Sequence, residues 1–282
     1  MGRGKAVLLL VAAAVLWSTG GLFIKSVDWD PFAIAGTRSA IAALVVLMYL
    51  RRPKIRWSLP QFLGGAAYAA TVVLFVLANK LTTAANAIVL QYACPVYVAL
   101  LGAVFLGERV SARAWITVAV TLGGIVLFFL DRLSPGGFTG NMLAVVSGMS
   151  LAVLVICLRK QKDGSPTESI LLGNLFAVLV CLPFMFRSAP SLRGMAALAF
   201  LGVFQLGFSY IIYSRAIRHV PALQSIIVPI IEPVLNPVWV FLFVGEAPGP
   251  WAVAGGVIVI AAVVVYSALD AKQGRADRVN VE

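Results

Sequence analysis

Ten apolar blocks of about twenty residues follow one another along the chain: Ala6 to Ile24, Pro31 to Leu50, Leu59 to Ala78, Thr83 to Leu106, Ser111 to Leu130, Gly140 to Leu158, Ile170 to Phe186, Met195 to Ala216, Pro221 to Val244 and Trp251 to Leu269. A helix of that length rises ~30 Å, the thickness of a bilayer's hydrocarbon core. Only 12% of the residues are charged, against about 25% in a soluble domain, so no water-facing shell can be assembled from them. Ten-residue segments of alternating polarity are not seen, which sets a membrane β-barrel aside. The sequence therefore predicts an all-α integral membrane protein of ten transmembrane helices.

Little chain remains outside the blocks. The connecting loops are short and hold no Gly-x4-Gly-Lys-Ser/Thr stretch, so the chain does not hydrolyse ATP itself. Ala12-x-Ala14 has the form of a signal cleavage site, but the apolar run continues through it to Ile24, which predicts a retained first span. Cys94, Cys157 and Cys181 all fall inside predicted spans and read as small hydrophobes rather than a disulfide framework. His219 is the single histidine, sits in a loop and has no Gly-x-Ser-x-Gly turn beside it. Zinc sites and a Ser/His dyad lack material, so neither an enzyme nor a metal or cofactor is expected.

The net charge of +11 is distributed for orientation and not for nucleic acid. With the N-terminus inside, the cytoplasmic loops collect sixteen Lys and Arg, including Arg3, Arg51, Arg52, Arg109, Arg159, Arg215, Arg218 and Lys272, whereas the opposite loops hold five: Lys25, Lys80, Arg132, Arg187 and Arg193. Basic loops stay on the cytoplasmic side during insertion. Both termini are thus placed inside, in a multi-pass protein whose environment is the lipid bilayer.

Sliding the sequence by 138 residues aligns Ala78–Glu108 with Ala216–Glu246 without a gap, with eight identities in thirty-one positions. The informative matches are Pro95 with Pro233, and Gly107-Glu108 with Gly245-Glu246. The offset divides the chain into residues 1–133 and 134–282, each with five spans. Five is odd, so the second unit enters the membrane inverted relative to the first. Inverted repeats give many secondary transporters their two exchangeable states.

Leu16-Trp17-Ser18-Thr19-Gly20 with Lys25, Arg38 early in span two, Pro95 in span four and Gly107-Glu108-Arg109 after it resemble the EamA pattern of the drug/metabolite transporter superfamily. Pro221-Ala222, Glu232-Pro233 and Gly245-Glu246 resemble its second half. The resemblance covers nearly the whole chain. It implies a ten-helix carrier of two inverted five-helix repeats, similar to bacterial inner-membrane amino-acid exporters. The second unit lacks counterparts of Trp17 and Arg38, so the halves are chemically unequal.

Glu232 is the sharpest residue. It lies about twelve residues from either end of span nine, ~18 Å of helix rise from each surface. An ionisable group at that depth is paired, protonated or faces water. It reads either as a packing residue or as a ligand for a substrate ammonium or a proton. Pro229, Pro233 and Pro237 surround it, with Asn236 four residues on. Each proline removes a donor and frees the carbonyl four residues earlier; such breaks build sites in carriers or simply bend helices. Pro95 predicts a related kink beside Gln91, Tyr92, Cys94 and Tyr97.

Arg38 lies roughly 10 Å below the outer surface. Its stem reads as snorkelling towards Asp28 or Asp30, or as holding a substrate carboxylate. Trp17, Ser18, Tyr68, Asn79, Gln205, Tyr210, Tyr213 and Trp239 thicken the spans with groups that seek hydrogen bonds, and together they suggest an aromatic-walled cavity at the repeat interface. Lys80 and Arg218 answer helix C-termini, and Glu108 and Glu246 sit at span ends as caps or ion-pair partners. Ala119-x-x-x-Gly123 and Ala252-x-x-x-Gly256 predict close packing of spans five and ten, within one chain or in a dimer.

The expected function is secondary export of small metabolites, foremost amino acids of broad type, with aromatic or large apolar side chains among them, by alternating access through a central cavity. Efflux of lipophilic cationic drugs is the alternative carrier reading; the small four-helix multidrug relatives use a first-span carboxylate, which Ala6 to Ile24 lacks. A non-transporting assembly or signalling protein is the alternative of another class.

Overall fold

The computed structural model of the chain describes residues 1–282 apart from 83, 109, 129, 131–136, 188, 236–238, 240–248 and 280–282, and apart from the side chains of 25, 84, 85 and 270–279. Among the described residues every regular element is a helix. Eight helices are long and apolar enough to cross a membrane: α1 Arg3–Ile24, α2 Pro31–Leu50, α3 Leu59–Leu81, α4 Asn86–Phe105, α6 Phe138–Lys160, α7 Pro166–Met185, α8 Leu192–His219 and α10 Pro250–Leu269. Two shorter apolar helices, α5 Ala112–Phe128 and α9 Ala222–Leu235, occupy the fifth and ninth predicted blocks.

Local chemistry sets the helix starts. Pro31, Pro60 and Pro166 stand in first turns, where the missing N–H is lost without cost. The Asp30 carboxylate accepts from the Phe32 and Ala33 amides, and Ser111 and Ser191 hydroxyls accept from Ala114 and Gly194. These bonds satisfy amides that no helical carbonyl can reach.

Helices α2 and α7 pack against each other, as do α4 and α9, and α5 and α10. Helix α3 packs on α6 and α7, and α8 packs on α1 and α2; α6 also meets α4, and α1 meets α9. Replacing each helix by the one five places along leaves these pairings unchanged.

The loops gather at two ends. The N-terminal Arg3 bonds the Gln224 side chain, the Lys54 amide donates to Glu168 Oε1, Arg159 meets Glu108, and Arg218 donates to the Lys162 carbonyl. These contacts gather the N-terminus, the α2–α3, α4–α5 and α6–α7 loops, and the facing ends of α8 and α9. At the other end Lys80 donates to the Val27 carbonyl and Thr82 to Asn141.

The α5–α10 seam corrects one expectation. Gly124 and Gly255 form it: a Cβ on Gly255 would stand 2.4 Å from the Phe128 nitrogen and 2.5 Å from the Gly124 carbonyl oxygen. Gly123 faces open space, and Gly256 packs against Val234 and Phe128. The predicted stripe on α5 is one residue out, and the seam lies within one chain.

Candidate functional site

Four helices lose regular α geometry at mid-length. Helix α1 breaks at Ser18-Thr19 and α4 at Tyr92-Ala93, two residues before Pro95. Helix α8 widens to a π-helix over Leu201–Phe208, and α9 tightens to a 3-10 turn over Val228–Ile231, just before Glu232 and Pro233. Irregular backbone at membrane depth is tolerated where it lines a cavity or meets protein.

The interruptions meet at one cavity, lined by residues that include Trp17, Arg38, Gln91, Tyr92, Gln205, Tyr210, Pro229 and Glu232. It offers ≈ 60 Å³ to the centres of water molecules, and a single water needs roughly 10–15 Å³ by that measure. The space suits a few waters.

Arg38 and Glu232, remote in sequence and of opposite formal charge, line the same space. Arg38 is only 1% exposed, so the snorkelling alternative fails. Its Nη1 donates to Gln205 Oε1 at 3.3 Å and Nη2 to the Val72 carbonyl at 3.0 Å, whereas Nε has no partner. Asp30, one of the imagined partners, caps α2 instead. Among the described residues the guanidinium thus rests on neutral oxygens alone. Glu232 is partly exposed, and its Oε2 accepts from the Tyr92 hydroxyl at 2.5 Å. That hydroxyl also lies 3.5 Å from the Pro229 carbonyl, which Pro233 cannot bond and which accepts the Glu232 amide instead.

An aromatic wall stands on one side. The Trp17 ring lies 4.9 Å from Tyr210 and 5.2 Å from Tyr213, and Tyr68 packs edge-on to Tyr210 at 4.7 Å. Tyr68 donates to Asn174 Oδ1, and Tyr213 shares a bond with Ser225. Trp239 Nε1 donates to Ser18 Oγ at 2.7 Å, at the break in α1. Gln91 donates to Ser147, whose hydroxyl donates to the Thr71 carbonyl.

Of the residues singled out from the sequence, Trp17, Arg38, Gln91, Tyr92, Cys94, Gln205, Tyr210, Pro229 and Glu232 come together at the cavity. Tyr213 and Trp239 brace its neighbours. Tyr97 packs against the hydrophobic core, and Asn79 donates to the Phe75 carbonyl of its own helix, so neither lines the cavity. Pro95 and Pro233 follow the breaks without lining the space, and Asn236 and Pro237 lie outside the described residues. Thr71, Val72 and Phe75 add to the lining; nothing in the sequence around them singled them out. All three cysteines are buried and free.

The span-end residues are structural. Glu108 Oε1 pairs with Arg159 at 2.7 Å while Oε2 accepts the Ala222 amide, capping α9, and Arg159 also donates to the Ile217 carbonyl. Glu246 lies outside the described residues.

Apolar helices that break around a buried, charged cavity define a multi-spanning membrane transporter. The EamA-like transporter family model matches residues 4–130 and again 138–268, and the chain belongs to that family. The pseudopaline exporter of Pseudomonas aeruginosa is 28% identical over 278 residues, covering 93% of this chain and 96% of the relative. A probable terminal-alkyne amino-acid exporter of Streptantibioticus cattleyicolor is 27% identical, covering 95% of each. A solved crystal structure superposes with a TM-score of 0.81 at 19% identity, over 96% of this chain and 99% of the other, which shows a shared fold.

Proposed function

We propose that the protein is a secondary exporter of amino acids, of broad or aromatic type, in a bacterial cytoplasmic membrane. Arg38 receives the substrate carboxylate, Glu232 its ammonium, and the Trp17–Tyr210 wall its side chain. The carrying observation is that one cavity is lined by a buried guanidinium with no carboxylate partner among the described residues and by a carboxyl held by Tyr92 of the neighbouring helix. A bidentate guanidinium–carboxylate contact suits the first group. Exporter relatives, one named for an amino acid, agree with this chemistry. The buried cation disfavours lipophilic cationic drugs, and a charged cavity has no use in a non-transporting assembly.

Alternating access follows from residues 1–133 and 134–282 acting as inverted five-helix units. Two family matches of similar length and the invariance of the helix pairings support that division. Both termini face the cytoplasm in this reading, because the sixteen-cation loops gather at the Arg3 end. Movement is facilitated, down the substrate gradient.

Counterflow in proteoliposomes tests this. Unlabelled amino acid inside should drive accumulation of labelled amino acid without an imposed pH gradient. Absence of counterflow for aromatic, aliphatic and polar amino acids alike contradicts the substrate class, and strict dependence on a pH gradient contradicts facilitated movement.

A further inference from the structure

We propose that Gln205 is the positioning residue that holds the Arg38 guanidinium ready for a carboxylate, and that the π-helical stretch of α8 brings it there. The inference rests on the reading of Arg38 given above.

A π-helix bonds each carbonyl to the fifth amide onward, and such segments inside α-helices recur at functional sites. Here the segment runs Leu201–Phe208, without a proline to impose it. Two glycines seat it on α2. A Cβ on Gly202 would stand 2.5 Å from Ile41 and 2.9 Å from the Arg38 carbonyl oxygen, and one on Gly207 would stand 2.8 Å from Val45. The backbone of α8 therefore lies against the turn of α2 that carries Arg38, and between the two glycines the chain presents Gln205.

The Gln205 amide is 6% exposed and touches two elements at once. Its Oε1 accepts from Arg38 Nη1, and its Nε2 sits 2.8 Å from where a Cβ on Gly20 would stand, just past the break in α1. A neutral amide oxygen is the suitable acceptor. It orients a guanidinium and, being uncharged, yields to a carboxylate, which brings the opposite charge and a bidentate geometry to the same donors. A glutamate at this position would neutralise Arg38 permanently and repel the incoming anion. The same contact ties the cation to the α1 break, so loading Arg38 and moving α1 are linked.

The test measures counterflow KM and maximal rate for an aromatic amino acid, with melting temperature, in wild type, Gln205→Glu, Gln205→Ala and Arg38→Gln. Gln205→Glu should raise KM about 100-fold with no loss of melting temperature, because the internal pair outcompetes the substrate. Gln205→Ala should raise KM about 10-fold with a maximal rate within about two-fold of wild type. Should Gln205→Glu not fold, the KM split in Gln205→Ala decides. KM values within about two-fold of wild type in both Gln205 variants, with any lost rate tracking lost melting temperature, overturn the positioning role. If Arg38→Gln raises KM in that same experiment, only the Gln205 inference has failed. If Arg38→Gln leaves KM unchanged, the reading of Arg38 falls and this inference with it.

Discussion

The α5–α10 seam and the centre of the bundle solve the packing of apolar helices in opposite ways. Along the seam both helices stay regular, the buried threonines of α5 bond its own backbone, and Gly124 meets Gly255 at backbone contact. At the centre α1, α4, α8 and α9 all lose regularity at the same place, and side chains from different helices complete each other's hydrogen bonds. In lipid, close van der Waals contact holds the seam without polar groups, whereas the centre needs protein or water to satisfy backbone that its breaks release. In the proposed transport cycle the seam stays fixed while the centre rearranges.

Changes at the centre should therefore alter transport without unfolding, and changes at the seam should do the reverse. The largest effect is expected from Arg38→Gln: loss of about 100-fold in affinity for carboxylated substrates, since removing one member of a buried charged contact costs ~2–5 kcal/mol, read as counterflow KM. Glu232→Gln should raise KM by about 10-fold, from loss of a charge-assisted bond. Its response to an imposed pH gradient should match wild type; a pH dependence in wild type that this substitution removes would convert the facilitated reading into proton exchange. Gly255→Ala should lower stability by ~1–3 kcal/mol as the added methyl meets Phe128 and Gly124, with the rate per folded molecule unchanged. Gly123→Ala, into open space, should stay within about 0.5 kcal/mol; a large loss there would restore the seam predicted from the sequence.

Hydropathy announces the helices because lipid forces each span to be long and apolar, and Glu232 and Arg38 stand out for the same reason. The α4 and α9 irregularities were legible through Pro95, Pro229 and Pro233. The π-helix and the Ser18-Thr19 break carry no comparable mark, because they arise from how α8 rests on α2 and α1. Arg38 illustrates the limit: its depth can be read, but its partners Gln205 and the Val72 carbonyl come from other helices. Tyr97 misleads because five residues carry it roughly 140° round a helix from Tyr92, onto the core instead of the cavity. The seam slipped by one residue because α5 carries adjacent glycines at Gly123 and Gly124, and only packing chooses between them.

The central claim is that groups from α2 and α9 grip the two ends of one zwitterion. Equilibrium displacement of a labelled aromatic amino acid from the purified protein tests it, using the unlabelled amino acid, its decarboxylated amine and its deaminated acid as competitors. The account predicts that each single-ended analogue competes at least about 10-fold more weakly than the parent, one lost charged contact apiece. Equal competition by all three would contradict it.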